Sequence, residues 1–243
     1  MNRPEILGRL GVNGNANLFL INPNGIVFGP NASLDVQGSF LATTANAVKL
    51  GDTGLFSATQ PATSNLLTVN PSALWFNSIA AGPIVNRTNP GSIVVQGNGY
   101  DLSIQVPIFS PIIRGASSTG LRVSPGKTLA LVGGDIDIVG GTLTADQGRI
   151  ELGSIRDGQV KLNPISSGFE LNYQGVQSWR DIRLSQQALA DTSGGGAIQV
   201  QPFERGDSGK FCQAGIGHGR LVEREHGQAS QARQRCQAVV AHL

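Results

Sequence analysis

The segment from Gly126 to Ile155 alternates short runs of strand-forming residues with turn-forming residues. It reads GKTLALV, GG, DIDIV, GG, TLTA, DQG and RIELGSI. Runs of about five residues separated by glycines leave no room for the helix that a βαβ crossover requires. The segment therefore predicts an all-β structure in which short strands follow one another around tight turns.

Similar runs occur upstream, each bounded by Gly, Asn, Pro or Ser, which supply turns and tolerate a positive φ. They lie at 17–21, 26–28, 39–42, 66–69, 92–96 and 101–106. Their regular spacing favours a solenoid in which each rung is a coil of short strands stacked on the next. The antiparallel β-sandwich stays open as an alternative, because periodicity alone does not distinguish the two.

The run DIDIV predicts which side chains face the interior of such a solenoid. Ile136 and Ile138 are expected to point inward and the intervening aspartates outward, because successive strand residues point to opposite faces. The corners of the rung are predicted at Gly133-Gly134 and Gly140-Gly141. The proline-containing run 106–113 is expected to form a loop or hairpin outside the coil.

The composition excludes several other classes. The chain has 243 residues, of which 33 are Gly and 14% are charged, whereas average chains contain about 25% charged residues and about 7% Gly. So much glycine and so little charge disfavour a helical bundle. The glycines lack the three-residue period of collagen, and a 40% hydrophobic content with a net charge of +2 disfavours disorder.

Two compositions are joined in the chain. Residues 1–201 contain 12 Lys+Arg and 12 Asp+Glu, whereas residues 202–243 contain 6 and 4. All 16 asparagines lie in the first part, and all three histidines and both cysteines lie in the second. We therefore expect a folded domain over 1–201 and an atypical tail over 202–243, partly helical or disordered, as a shifted reading frame or a gene fusion would produce.

The stretch Asn15–Thr44, NANLFLINPNGIVFGPNASLDVQGSFLATT, resembles the filamentous haemagglutinin N-terminal domain, also called the two-partner secretion (TPS) domain. It is most similar to the cyanobacterial branch, which shares LTVNPSALWF at 67–76, the segment 126–155 and DIRLSQQALAD at 181–191. The resemblance covers most of residues 6–201. It implies a right-handed parallel β-helix, and because the upstream rungs of the family are missing from this sequence, we expect the helix to be truncated at its N-terminal end.

The resemblance also implies a function. The domain would be the secretion signal of a haemagglutinin- or adhesin-like exoprotein, recognised by an outer-membrane TpsB transporter of the Omp85 type through its periplasmic POTRA domains. No enzymatic activity, cofactor or small-molecule substrate is expected for such a domain, and any host or cell-surface ligand would be bound by downstream regions. No nucleic-acid partner is expected either, because residues 1–201 have a net charge of zero. Full-length members are secreted or lie at the cell surface. The first residues, MNRPEILGRL, contain no apolar signal segment, so a truncated, non-functional fragment is the expectation kept beside export.

The signature motif of the family is NPNGI, which the resemblance makes the transporter-recognition motif. In this sequence it consists of Asn22, Pro23, Asn24, Gly25 and Ile26. The residue types by themselves make a tight turn, since Pro fixes φ, Gly accepts a positive φ, and Asn side chains bond nearby backbone. We expect a mainly architectural turn through which recognition acts indirectly.

Two other functions compete with secretion: a polysaccharide-degrading β-helical enzyme and a purely structural cap of a fibrous adhesin. Catalysis or calcium binding would need clustered carboxylates. The candidates are Asp135 and Asp137, with Asp146 and Glu151 on adjoining rungs. Acids that alternate along a solvated strand need no function, so no catalytic residue is predicted.

The tail supplies the only other candidate ligands for a metal. They are Cys212, His218, His226 and Cys236, separated by 5, 7 and 9 residues. Zinc sites in proteins use pairs of ligands that are closer in sequence. No metal site is therefore predicted.

Overall fold

Short strands make up the part of the chain that the structure describes. The computed structural model describes residues 3–65, 70–76, 89–100, 102–104, 112–114, 120–166 and 168–201. Within these ranges the structure is all-β, as predicted, and its one helical element is the 3-10 turn Pro61–Thr63. The strands are β1 Glu5–Ile6, β2 Arg9–Gly11, β3 Leu18–Ile21, β4 Ile26–Phe28, β5 Ser33–Asp35, β6 Phe40–Thr43, β7 Ala47–Leu50, β8 Gly54–Ser57, β9 Pro71–Phe76, β10 Ile93–Gln96, β11 Leu102–Ile104, β12 Ile112–Arg114, β13 Leu121–Arg122, β14 Thr128–Gly133, β15 Ile136–Val139, β16 Thr142–Thr144, β17 Arg149–Ile165, β18 Gly168–Trp179, β19 Ile182–Ser185, β20 Leu189–Asp191 and β21 Ala197–Gln201.

The chain passes repeatedly through three sets of parallel strands. Sheet A consists of β1, β4, β10, β15 and β19. Sheet B consists of β13, β16 and β20, and the pair β2–β5 joins it through a parallel bridge between Ser33 and Gly120. Sheet C consists of β3, β6, β14, β17 and β21. Each pass visits A, B and C in that order, and this parallel pairing is not that of an antiparallel β-sandwich.

Residues at matching positions stack across the passes to form the core. In sheet A four isoleucines pair in register: Ile26, Ile93, Ile136 and Ile182. In sheet C the matching row is Leu18, Phe40, Leu129, Ile150 and Ile198. Ile136 and Ile138 are fully buried, which confirms the prediction for DIDIV. Each pass thus covers the apolar edge of the one before it, as in repeat folds.

An antiparallel layer, formed by β8, β7, β9, the second half of β17 and β18, covers the outer face of sheet C. Strand β17 pairs within sheet C as far as Ser154 and pairs with β18 of this layer from Ile155 onward, with register shifts between Ile155 and Lys161. The prediction of strands of about five residues is wrong here, since β17 has 17 residues and β18 has 12. The strand continues through these irregularities after it has left sheet C.

The predicted strands at 17–21, 26–28, 39–42 and 92–96 are confirmed with their ends moved by at most one residue. Gly140-Gly141 separates β15 from β16 as predicted. The other corner lies one residue later than predicted, because Gly133 still pairs with Ser154 in sheet C. The predicted strand 66–69 lies outside the described residues.

The segment around 106–113 was expected to form a loop or hairpin. Strands β11 and β12 pair antiparallel, in agreement with a hairpin, while residues 105–111 lie outside the described part of the chain.

Candidate functional site

The NPNGI motif forms the turn between β3 and β4. The carbonyl oxygen of Asn22 accepts the Gly25 N–H at 3.1 Å. The side-chain Oδ1 of Asn22 accepts the Asn24 N–H at 2.9 Å, which closes a second, smaller ring. Gly25 has a φ of +107°, a conformation that glycine adopts without strain. The tight turn predicted from the residue types is therefore present.

This turn stacks on the chain of a later pass. The Gly91 N–H donates to the Pro23 carbonyl oxygen at 2.9 Å, and the Ile26 N–H donates to the Ser92 carbonyl oxygen at 3.0 Å. A Cβ atom on Gly91 would lie 2.1 Å from the Gly25 nitrogen, so the two backbones approach more closely than any side chain allows. The backbone of the motif is thus occupied in holding two passes together.

The five residues of the motif differ in what they offer to a partner. Gly25 and Ile26 are buried, and Asn22 and Pro23 are half-buried. Asn24 is the exposed member. The motif therefore combines a buried architectural part with one amide side chain that a partner could reach.

The candidate acids Asp135 and Asp137 lie on the outer side of sheet A and are paired with arginines. Asp135 accepts two hydrogen bonds from Arg180, one of them from Nε at 3.2 Å. Partial burial opposes its ionisation, but Arg180 and the Asp181 N–H together hold the pKa of Asp135 below its ordinary value. Asp137 lies 3.5 Å from Nη1 of Arg183. Both carboxylates therefore act in ion pairs across neighbouring passes.

The other two acids do not join them. Asp146 lies in the turn between β16 and β17, 3.8 Å from Arg122 Nη1, and Glu151 lies in sheet C. Within the described residues there is no group of three or more His, Cys, Asp or Glu that could hold a metal ion. The four Cys and His residues of the tail lie outside the described residues.

Glu151 is a buried charged residue whose environment the sequence analysis missed. Its side chain is 0% exposed and lies 3.2 Å from Arg149 Nη1. Burial raises the pKa of Glu151 to about 7, although Arg149 opposes the shift. Among the described residues, neither Glu151 Oε2 nor the Tyr173 hydroxyl has a hydrogen-bond partner. The signal was available in KTLALV, which is apolar on both faces and so indicates a sheet covered on both sides.

The family model of the TPS secretion domain matches residues 1–201. The chain belongs to the TPS secretion domain family. The resemblance carried by NPNGI and the three longer segments is thereby confirmed, and members of this family are substrates of two-partner secretion. None of the curated proteins compared with the chain matches it. In the described part of the chain, no helix of this TPS domain is long and apolar enough to cross a membrane.

Proposed function

We propose that this chain is the secretion-signal domain of an adhesin-like exoprotein, recognised by an outer-membrane Omp85-type transporter whose POTRA domains receive it. The observation that carries the proposal is the TPS family match over residues 1–201. We assign the signal to this range and treat 202–243 as a separate tail.

We infer further that sheets A, B and C form one right-handed parallel β-helix. Five passes in the order A, B, C and the in-register isoleucine row support the coil; the right hand rests on the family. In such a coil each pass contacts mainly its neighbours, so folding can propagate from the end that emerges first. That property suits a chain that folds as it leaves a transporter.

Within the motif we assign two roles. Asn22, Pro23, Gly25 and Ile26 hold the turn, and the exposed amide of Asn24 contacts the transporter. The bond between Asn22 Oδ1 and the Asn24 N–H fixes the direction in which residue 24 projects. In this proposal Asn24 contacts the transporter directly, whereas the other four residues act indirectly by holding the turn in shape.

The enzymatic alternative receives less support. Its best acid pair, Asp135 and Asp137, is engaged by Arg180 and Arg183, and Glu151 lies on a different sheet. Carboxylates held by arginines are poor proton donors, because the cation favours the charged form. We therefore propose a non-enzymatic function for this domain.

Export of the full chain behind a cleavable leader, in cells with a cognate TpsB transporter, tests these roles. Asn24→Ala should reduce the secreted fraction several-fold while leaving the melting temperature unchanged. Asn22→Asp keeps an acceptor oxygen for the turn and should be exported normally, whereas Asn22→Ala should lower both export and stability. The matched control is the double variant Asn13→Ala, Asn15→Ala, which changes two exposed asparagines of a nearby loop and should not affect export.

Two results would overturn the assignment. Normal export of Asn24→Ala would remove the direct contact. If Asn22→Ala were also exported normally despite lower stability, the motif would have no part in recognition, and the chain would fit a structural cap of a fibrous adhesin better.

A further inference from the structure

A groove of about 460 Å³ lies on the outer face of sheet C, where β18 passes the last strand, β21. Nine described residues line the groove, and five of them are amides: Asn163, Asn172, Gln174, Gln199 and Gln201. Its size is that of a site for a small organic ligand, but such sites are usually lined mainly by apolar side chains. The groove therefore fits a ligand that forms hydrogen bonds over most of its surface.

Two aromatic residues give the groove a rigid wall. Tyr173 is 8% exposed, and its ring lies against Gly153, where an added Cβ atom would be 2.6 Å from Tyr173 Cε1. The Trp179 ring packs beside it, with ring centroids 5.8 Å apart and planes inclined at 43°. Because Gly153 allows this packing, the half-buried indole is held in place without a ligand.

The lining charges exclude two ligand classes. Among the described residues, Glu170 is the one charged residue that lines the groove, and the cation Arg149 lies 3.9 Å from it. A phosphate or carboxylate ligand would call for unpaired cations. A divalent cation would require several oxygen ligands, including more than one carboxylate. Because Arg149 lies beside the acid Glu170 and offsets its charge, a neutral ligand fits the groove better than an organic cation does.

Amide side chains both donate and accept hydrogen bonds. The hydroxyl groups of a sugar do the same, and the C–H face of a sugar ring is apolar enough to lie on an aromatic ring. Gln199 and Gln201 project from the same face of β21, two residues apart, toward the groove that Trp179 borders. Amides on one side and an indole on the other are the complement of a sugar ring.

We propose that this groove binds a neutral saccharide, with Gln199 and Gln201 bonding its hydroxyl groups and Trp179 contacting its ring face. The site lies on sheet C, away from the NPNGI turn between β3 and β4. Whether the groove binds a saccharide is therefore independent of the proposed secretion role.

Tryptophan fluorescence of the full chain tests the proposal. The chain has two tryptophans, so Trp75→Phe leaves Trp179 as the reporter. Glucose, galactose, mannose and N-acetylglucosamine are titrated at millimolar concentration, with inorganic phosphate as an anionic probe. If Trp75→Phe does not fold, saturation-transfer NMR with the same sugars on the unaltered chain replaces it.

At least one sugar should give a saturable signal, and phosphate should give none. The double variant Gln199→Ala, Gln201→Ala should weaken binding by about tenfold, as expected for the loss of one or two hydrogen bonds. Gln96→Ala removes an exposed glutamine of sheet A and should bind as the parent does. Absence of a saturable signal with all four sugars, equal binding by the double variant, or saturation by phosphate would each overturn the proposal.

Discussion

Sheets A and C have the same kind of inner face and opposite kinds of outer face. The outward row of sheet A is Glu5, Val27, Val94, Asp137 and Arg183. The outward row of sheet C is Phe19, Leu41, Ala130, Glu151 and Gln199. The first row ends in an ion pair at the surface, whereas the second begins with apolar residues beneath the antiparallel layer.

The difference between the two outer faces shows that inward and outward residues have separate structural roles. The inward residues build the coil, and any run that alternates in the right phase supplies them. The outward residues decide whether a second layer packs on the coil. Asp137 and Glu151 occupy the fourth position of their rows, and one is a surface acid while the other is fully buried.

The largest expected effect comes from opening the covered face. Leu41 is fully buried on the outer side of sheet C, so Leu41→Ala should lower the free energy of unfolding by about 2–5 kcal/mol. Val94 is half-buried on the outer side of sheet A, and Val94→Ala should cost less than about 1 kcal/mol. Urea denaturation of the two variants measures both values. Equal losses would mean that the two outer faces are equally covered, which would contradict the proposed difference between sheets A and C.

Glu151 makes the stability of the covered face depend on pH. Its pKa is raised by burial to about 7 from an ordinary value of 4.5. Between these pH values the folded chain keeps a proton that the unfolded chain has lost. The contribution of protonated Glu151 is therefore complete below pH 4.5 and is lost as the pH rises through 7. At about 1.4 kcal/mol per pKa unit, this amounts to roughly 3 kcal/mol.

Unfolding by urea at several pH values between these limits measures the loss. Glu151→Gln should flatten the profile, because the amide does not ionise, whereas Glu5→Gln, at an exposed position of sheet A, should leave the profile unchanged. A slope that persists in Glu151→Gln would assign the pH dependence to another group.

Gly153→Ala tests the packing between sheet C and the antiparallel layer on a smaller scale. The new methyl group would collide with Tyr173, and overpacking of this kind typically costs about 1–3 kcal/mol. A Cβ atom on Gly8 would meet nothing within 4 Å, so Gly8→Ala serves as the control and should be close to neutral. Thermal melts followed by circular dichroism compare the two. A neutral Gly153→Ala would show that the layer can shift away from the sheet.

The smallest effect is expected at the surface ion pair of sheet A. The side chains of Asp137 and Arg183 are 29% and 62% exposed, and exposed ion pairs contribute about 0–1 kcal/mol. Asp137→Ala should thus change stability by less than about 1 kcal/mol. Asp135→Ala should cost more, because its partner Arg180 is 23% exposed and the Asp181 N–H also bonds it. Urea denaturation measures the stability loss of each variant. A loss for Asp137→Ala as large as that for Asp135→Ala would contradict the expectation.

Much of the parallel part of the fold could be predicted from the sequence because each pass repeats the same pattern of short apolar runs and turns. Short runs bounded by Gly and Asn located most of its strands, and the alternation in DIDIV placed Ile136 and Ile138 inside. The turn at NPNGI followed from the conformational preferences of its residue types.

The antiparallel layer was missed because β9 joins two hairpins, β7–β8 and β17–β18, that lie far apart in the sequence. Lys49 and Lys161 lie far apart in the sequence, yet both pair with Ala73 of β9. Local sequence patterns do not predict which strands pair in this way. The register shifts of β17 beyond Ile155 could not be predicted from the sequence RDGQ at 156–159 either. The run KTLALV indicated a sheet covered on both sides, but it did not indicate which strands cover Glu151 or form the groove beside it.

The secretion-signal function depends most directly on whether a transporter carries this chain. The measurement is the fraction of the full chain, behind a cleavable leader, that reaches the medium in cells with and without a cognate TpsB transporter. We expect secretion with the transporter and periplasmic retention without it. An equal fraction in the medium of both strains, with the chain folded, would contradict the secretion-signal function.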